Sequence, residues 1–156
     1  MTATYTAEHL TSRMEVRTVI WQPSDAATAQ LVDLGQPQGA SALMVPILNF
    51  RRFLAQITTS LLVGSGPTAF SIYAGTSAAG AGATAVVTHA VGSLPNAEGD
   101  SLVLECDVEQ IREVLSTATH VGVWVDCNND DDETAVVLIS AEPEKAYTGL
   151  TADYVS

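Results

Sequence analysis

Basic residues are scarce in this chain of 156 residues: six Lys and Arg stand against 18 Asp and Glu, and the formal net charge is −12. Proteins that bind DNA or RNA contact phosphate groups mainly through Lys and Arg. Anionic membrane surfaces attract basic segments and repel acidic ones. The composition therefore argues against nucleic acids and against membranes as partners.

Long apolar segments are also absent. Residues 1–17, MTATYTAEHLTSRMEVR, contain no apolar stretch of the kind that a secretory signal peptide needs. Residues 53–97 are nearly uncharged, but Thr, Ser, Gly and Pro interrupt them, so they lack the roughly twenty apolar residues of a membrane helix. Hydrophobic residues nevertheless make up 47% of the chain. That content is enough to bury the core of one domain and argues against disorder.

Cysteine is rare, with only Cys106 and Cys127. The two residues fall on separate candidate strands, and their spacing does not decide whether they are bonded. We interpret them as free, buried thiols that act as small hydrophobic side chains. A disulfide between them is the alternative.

Apolar and polar residues alternate at every second position through most of the chain, which predicts half-buried strands. Turn residues (Gly, Pro, Asn and Asp) separate these segments and predict an all-β fold, an antiparallel sandwich or barrel. We take the sandwich, with about seven to nine strands, as the predicted fold class. Pro46 confines its segment to a sheet edge. The predicted strands are 53–63, 70–74, 84–91, 101–107, 120–127 and 134–141, with weaker candidates at 17–21 and 42–48.

Two segments near these strands need a choice between helix and strand. Residues 53–63 fit both spacings, but Thr58, Thr59 and Ser60 are poor helix formers, and we favour a strand. After residue 107 the pattern predicts a short helix, because Asp107 and Gln110 have the spacing of a capping box.

Residues 1–40 differ in character from the rest and contain few core patterns. We predict an N-terminal arm or extension at 1–40 and a β-sandwich domain at 41–156. The arm could dock on a neighbouring subunit, supply an edge strand to its own domain, or stay mobile. Docking on a neighbour is the interpretation we favour.

Charge is distributed unevenly along the chain. Residues 1–78 hold four Arg and four acidic residues and are neutral, whereas residues 79–156 hold two basic and fourteen acidic residues. This asymmetry suggests one half in contact with a partner and one half facing solvent. The alternative is that the halves of the sequence do not form halves of the surface.

No pattern typical of catalysis is present. The chain has no G-x-S-x-G motif, and the metal-ligand spacings H-x-x-x-H and C-x-x-C are missing. Its three histidines, His9, His89 and His120, form no constellation. We therefore expect a protein that is not an enzyme and that needs no cofactor.

The acidic segment 126–133 matches an EF-hand loop at the first, third and fifth ligand positions. The match fails because Asp131 replaces the required Gly and Val137 stands where a bidentate Glu is needed. We interpret the segment as a solvated hairpin tip. The alternative is a weak cation site formed by four carboxylates: Asp130, Asp131, Asp132 and Glu133.

An ordered series of segments runs from Phe50 to Tyr147. A strand that contains FLAQI at 53–57 leads into the turn VGSG at 63–66. The segments that follow are FSIYAGTSAAGAGA at 70–83, VVTHA at 86–90 and SLVLEC at 101–106. A short element at 109–115, a Val-rich strand and a closing strand at 135–141 complete the series. In this order, and in its Gly- and Ala-rich connection, the block resembles a family of small virion proteins of tailed bacteriophages and prophages.

The resemblance implies a function. Members of that family are encoded beside the major capsid protein and are taken to be head decoration or similar structural proteins. It implies a capsid decoration or cement protein on the head exterior that binds the major capsid protein. It also implies self-association into trimers at local three-fold axes. Two alternatives stay open: a tail or head–tail connector component, and a host- or carbohydrate-binding module. The aromatic residues that such a module would cluster are dispersed along the sequence.

Five residues are candidates for partner contact. Three of them, Arg13, Arg17 and Trp21, belong to the predicted arm. The other two, Arg51 and Arg52, are adjacent and able to pair with carboxylates on a capsid. The alternative is that the arginines are ordinary surface residues.

Overall fold

The computed structural model describes residues 14–22, 30–33, 43–47, 50–89 and 94–143. Nearly all of these residues are in strands or in the turns that join them. In chain order the elements are β1 (Met14–Trp21), β2 (Gln30–Leu31), β3 (Val45–Pro46), β4 (Phe50–Leu61), β5 (Pro67–Gly75), β6 (Thr84–His89), β7 (Ser101–Asp107), α1 (Val108–Val114), β8 (His120–Cys127) and β9 (Glu133–Pro143).

The strands form two antiparallel sheets. Sheet A has the order β1-β9-β4-β7, and sheet B has the order β2-β8-β5-β6, with β3 also paired to β8. One continuous hydrophobic cluster contains side chains from both sheets. The predicted all-β sandwich is therefore confirmed, and the described residues include one short helix, as predicted.

Alternation along each strand builds this core, because successive side chains point to opposite faces of a sheet. On β4 the side chains of Phe53, Ala55 and Ile57 are fully buried, and on β8 those of Val121 and Val123 are. Burying an aliphatic or aromatic side chain of this size stabilises a fold by about 1.5–3 kcal/mol. The core thus comes from the period-two pattern visible in the sequence.

The ambiguous segment is a strand, as predicted. β4 pairs with β7 on one side and with β9 on the other, so it is a central strand of sheet A. Its β-branched residues suit this position, because they pack well on a pleated surface. The pairing with β9 shifts register between Thr59 and Leu61, where the strand approaches its end.

The predicted helix is also present and carries a capping box. The Asp107 carboxylate accepts a hydrogen bond from the Gln110 backbone N–H at 2.8 Å, and the Gln110 side-chain oxygen accepts one from the Asp107 N–H at 3.0 Å. These bonds satisfy two donors that a helix start otherwise leaves unpaired. Val108 and Ile111 anchor the helix to the core.

Parts of the predicted arm belong to the sandwich. β1 pairs with β9 along its whole length, and β2 pairs with β8. Three roles were considered for residues 1–40. The described parts, β1 and β2, have the second role, because they supply edge strands to their own domain. A boundary at residue 40 therefore does not separate them from the domain.

The neutral and acidic halves of the sequence are interleaved in space. β4, from the neutral half, lies between β9 and β7 of the acidic half, and β5 lies between β8 and β6. The expectation that the two halves form two separate surfaces is therefore wrong. Antiparallel pairing of distant strands mixes them in both sheets.

The two cysteines are free and buried. Cys106 lies on β7 in sheet A and Cys127 on β8 in sheet B, and both side chains belong to the core cluster. Burial raises the pKa of each thiol to about 12. They act as small hydrophobic core residues, and the alternative of a disulfide is not what the structure shows.

Candidate functional site

The outward side of sheet A is rich in exposed apolar side chains. Val16 and Ile20 on β1 are 47% and 68% exposed, and Val103 on β7 is 47% exposed. Leu54 and Ile139, on the central strands, are half-buried neighbours on the same side. Soluble proteins commonly scatter single apolar residues over the surface, but a contiguous group marks an interaction site.

Strand register brings these side chains together. Val16 is opposite Ile139, which is in turn opposite Leu54, so one apolar row crosses three strands. The next row on the same side consists of Thr18, Val137, Gln56 and Val103. Neither row contains a charged residue until Glu105, on the edge strand β7, at the end of the first row. We call the surface formed by these two rows and Ile20 the apolar face.

One end of the sandwich is strongly acidic. Three turns meet there, formed by residues 62–66, 94–100 and 128–133, and together they hold six acidic residues and no Lys or Arg. The backbone N–H of Leu62 donates to Glu98 at 3.3 Å, and Asn128 donates from its side chain to Ser65 at 2.8 Å. We call this region the acidic end.

Asp132 is buried within the acidic end and has a structural role. Its carboxylate accepts hydrogen bonds from the backbone N–H groups of Val63 and Gly64, both at 2.7 Å, and of Gly66 at 3.1 Å. Three donors compensate for the desolvation of the charge. Of the four carboxylates considered for a cation site, this one is thus already occupied by protein donors, whereas Asp130 and Asp131 are exposed.

The opposite end of the sandwich contains a charged cleft of about 490 Å³. It is formed where β4 begins, where β9 ends and where α1 packs against the sheet. Three of the four arginines in the described residues line it. We call it the arginine cleft, and its lining residues are Arg51, Arg52, Asp107, Val108, Glu109, Arg112 and Glu142.

Among the described residues, ion pairs engage one of these three arginines, Arg52. Arg52 bonds with Glu105, and with Glu142 at 3.4 Å. Within the part of the chain that the structure describes, Arg51 and Arg112 have no carboxylate within ion-pairing distance. Both side chains are exposed. The sequence pointed to Arg51 and Arg52, but it gave no reason to group Arg112 with them.

The contact residues predicted in the arm have different positions. Arg13 lies outside the described residues. Arg17 is half-buried on β1, on the same side of the strand as Trp21, and so does not belong to the apolar face. Trp21 is only 8% exposed and packs in the core, so its side chain is not displayed to a partner. The β1 residues that are displayed, Val16 and Ile20, were not among the predicted contacts.

Two aromatic residues that are distant in sequence are neighbours on the outward side of sheet B. The rings of Tyr73 and Trp124 stack with centroids 4.5 Å apart and an interplanar angle of 22°. Beside them, Thr68 donates a hydrogen bond of 2.9 Å to Asp126, whose other carboxylate oxygen is buried without a partner. The dispersal of aromatics along the sequence therefore did not reflect their arrangement in space.

Titratable groups do not assemble into a metal centre in the described parts of the chain: no group of three or more His, Cys, Asp or Glu side chains there could hold an ion. His89 and His120 lie opposite different residues of β5, Phe70 and Gly75, and His9 is outside the described residues. None of the helices among the described residues has the length and apolar character needed to cross a membrane.

Comparison with known proteins gives distant matches among solved structures and none by sequence. No protein family matches the sequence, and no curated protein matches it. A structure of Bacillus endospore appendages, described as a family of disulfide-linked pili, has a TM-score of 0.39 and 18% identity, and the match covers 82% of this chain and 86% of that one. The coat protein of Tobacco streak virus has a TM-score of 0.35 and 11% identity, with 84% and 89% of the two chains covered.

Proposed function

We propose that this protein is a non-catalytic structural component of a tailed-phage virion, and that it decorates the capsid exterior by binding the lattice of the major capsid protein. The observation that carries the proposal is the apolar face. A chain with a net charge of −12 leaves two adjacent rows of one sheet almost free of charge, with Ile20 68% exposed. Such a surface loses little hydration free energy when it leaves water, and the burial of its apolar side chains favours binding.

The partner is a broad, immobile protein surface. The apolar face belongs to a four-stranded sheet whose central strands, β9 and β4, are held on both sides. A face of this rigidity suits docking onto another preformed surface, because neither partner has to be ordered on binding. A lattice of identical capsid subunits offers one such surface in many copies.

The charge distribution supports an exterior position. The acidic end lies away from the middle of the apolar face, at the turns that close the sheet, and its acidic residues are mostly exposed. Once the apolar face is covered, these carboxylates stay in solvent. Many copies would then give the particle a negative exterior that opposes aggregation of particles by repulsion.

Copy number tests the proposal directly. The protein is quantified against the major capsid protein in purified particles of the phage or prophage that encodes it. We expect a ratio near 1:1, with the protein removed from intact heads before the DNA is released. A handful of copies per particle would overturn decoration and would favour a tail or connector position.

A sugar-binding role is the second candidate, and the stacked pair of Tyr73 and Trp124 is the observation that favours it. Aromatic faces on an outward sheet surface, next to the carboxylate of Asp126, are the elements that a carbohydrate site uses. Titration with host-surface polysaccharides should then change the fluorescence of Trp124. The variant Tyr73→Ala should lose the change. An unaltered spectrum with every polysaccharide would remove this candidate.

A further inference from the structure

We propose that the arginine cleft is a docking site for the acidic hairpin tip of a second copy of this chain, so that copies associate head to tail. The tip consists of residues 128–131, between β8 and β9. The proposal goes beyond capsid binding, because it assigns a self-association surface that needs no other protein.

The two surfaces lie at opposite ends of one strand. β9 begins at Glu133, directly after the tip, and ends at Pro143, next to Glu142 in the cleft. Strand rise is about 3.3 Å per residue, which separates the two ends by about 33 Å. One copy therefore cannot place its own tip in its own cleft, and the complementary surface must come from another copy.

Charge in the cleft is available for an incoming carboxylate. Three Arg and three acidic residues line it, but two of the acids are already engaged: Asp107 accepts from Gln110, and Glu142 pairs with Arg52. Arg51 and Arg112 have no such carboxylate among the described residues. A guanidinium group binds carboxylates in a planar, bidentate arrangement, so these two groups are suited to an acidic segment.

The tip carries the charge that the two arginines would bind. It is a hairpin turn that ends in Asp130 and Asp131, both exposed, and Asp132 fixes its base to the 62–66 turn. A cleft of 490 Å³ is within the range of about 300–1,000 Å³ that holds small ligands, and is large enough for the side chains of such a turn.

The geometry makes the contact heterologous, since one copy contributes the cleft and the next contributes the tip. Contacts of this kind close into rings or continue as open chains. An approach of two acidic ends is opposed by repulsion. Pairing of the acidic tip with the cleft, whose three Arg balance its three acidic residues, avoids this repulsion.

Sedimentation velocity of the purified full chain tests the proposal. At about 0.1 M salt, where charges are screened beyond about 10 Å, we expect association that increases with protein concentration and is lost at about 1 M salt. The cleft variant Arg51→Glu/Arg112→Glu and the tip variant Asp130→Lys/Asp131→Lys should each weaken association at least about tenfold. Denaturation midpoints verify that both variants are folded.

Mixing the variants gives the decisive result. Each variant alone presents like charges at the contact, whereas an equimolar mixture pairs opposite charges again, so the mixture should regain association. Glu98→Lys/Asp100→Lys changes the net charge by the same amount as the tip variant but lies in a different turn, and should associate like the wild type.

Four outcomes would overturn the proposal. Three are a wild-type chain that stays monomeric throughout, variants that associate as strongly as the wild type, and a mixture that does not regain what each variant lost. The fourth is association that persists in 1 M salt, which would favour pairing through the apolar face. None of these readouts involves a capsid, so the result is independent of the proposed decoration function.

Discussion

The Asp132 carboxylate accepts a hydrogen bond of 2.7 Å from the backbone N–H of Gly64, although 68 residues separate the two. This bond and its neighbours join the 62–66 turn to the base of the acidic hairpin. The carboxylate is fully buried. Its role is to hold two chain reversals together at the acidic end.

Removal of this carboxylate should destabilise the fold. Asp132→Ala leaves three backbone N–H groups without their acceptor, and we expect the free energy of unfolding to fall by about 3 kcal/mol. Urea denaturation measures the loss. Asp131→Ala, at the exposed neighbouring position, is the matched control and should change stability by less than about 0.5 kcal/mol. Equal effects at both positions would contradict the role assigned to Asp132.

Alanine at Gly66 should cost more than alanine at Gly99. Both glycines have positive φ, +79° and +86°, so each substitution carries a backbone cost of about 1–2 kcal/mol. At Gly66 a new Cβ would also lie 2.8 Å from the Pro95 carbonyl oxygen, whereas nothing lies within 4 Å at Gly99. We expect a difference of at least about 1 kcal/mol in thermal or urea denaturation. Equal costs would mean that the 94–100 turn moves freely.

The buried thiols should make the protein less stable at alkaline pH. Burial raises the pKa of Cys106 and Cys127 from 9.0 to about 12. Above pH 9 the unfolded chain therefore holds fewer protons than the folded one, and stability falls until about pH 12. Between these two pH values the free energy of unfolding falls by up to about 1.4 kcal/mol per pH unit for each thiol.

The variant Cys106→Ala/Cys127→Ala isolates this contribution, because the other groups that titrate in this range stay in place. Its unfolding free energy should fall less steeply between pH 9 and pH 11 than that of the wild type. A thiol reagent at pH 8 should label the native wild type only as fast as the protein opens. Parallel pH profiles, or immediate labelling of both thiols, would show that the cysteines are solvated.

A single charge in the apolar face should abolish capsid binding without unfolding the protein. Ile20→Lys places an ammonium group on the most exposed of its apolar residues, and the 68% exposure of Ile20 keeps the cost to folding near 0.5 kcal/mol. Co-sedimentation with heads stripped of the protein measures binding. Val114→Lys adds the same charge on α1, away from the apolar face, and should bind normally. Similar binding by both variants would exclude the apolar face as the contact.

Most of the fold was predictable because its signal is local. The alternation in 101–107 and 120–127 specified β7 and β8, and the Asp107–Gln110 spacing specified α1. Even the ambiguous β4 was predicted through the poor helix propensity of Thr58 and Thr59. These features depend only on neighbours in the chain.

The surfaces could not be predicted in the same way, because they depend on pairing between distant strands. Asp132 is indistinguishable in sequence from Asp131, and only the approach of the distant 62–66 turn, whose N–H groups donate hydrogen bonds to its carboxylate, sets it apart. Arg112 joins Arg51 only because α1 packs beside the start of β4. Trp21 was a candidate contact, but alternation along β1 points it into the core and presents Ile20 instead.

The position of β9 has a consequence for how the molecule is made. β9 is the last of the described strands, yet it lies between β1 and β4, so among the described strands β1 has no partner in sheet A until β9 has been synthesised. Until then β1 and β4 present unpaired edges, which pair readily with other chains. Pairing across such a long sequence separation is also slow. The nascent protein is therefore most exposed to misassembly just before β9 leaves the ribosome.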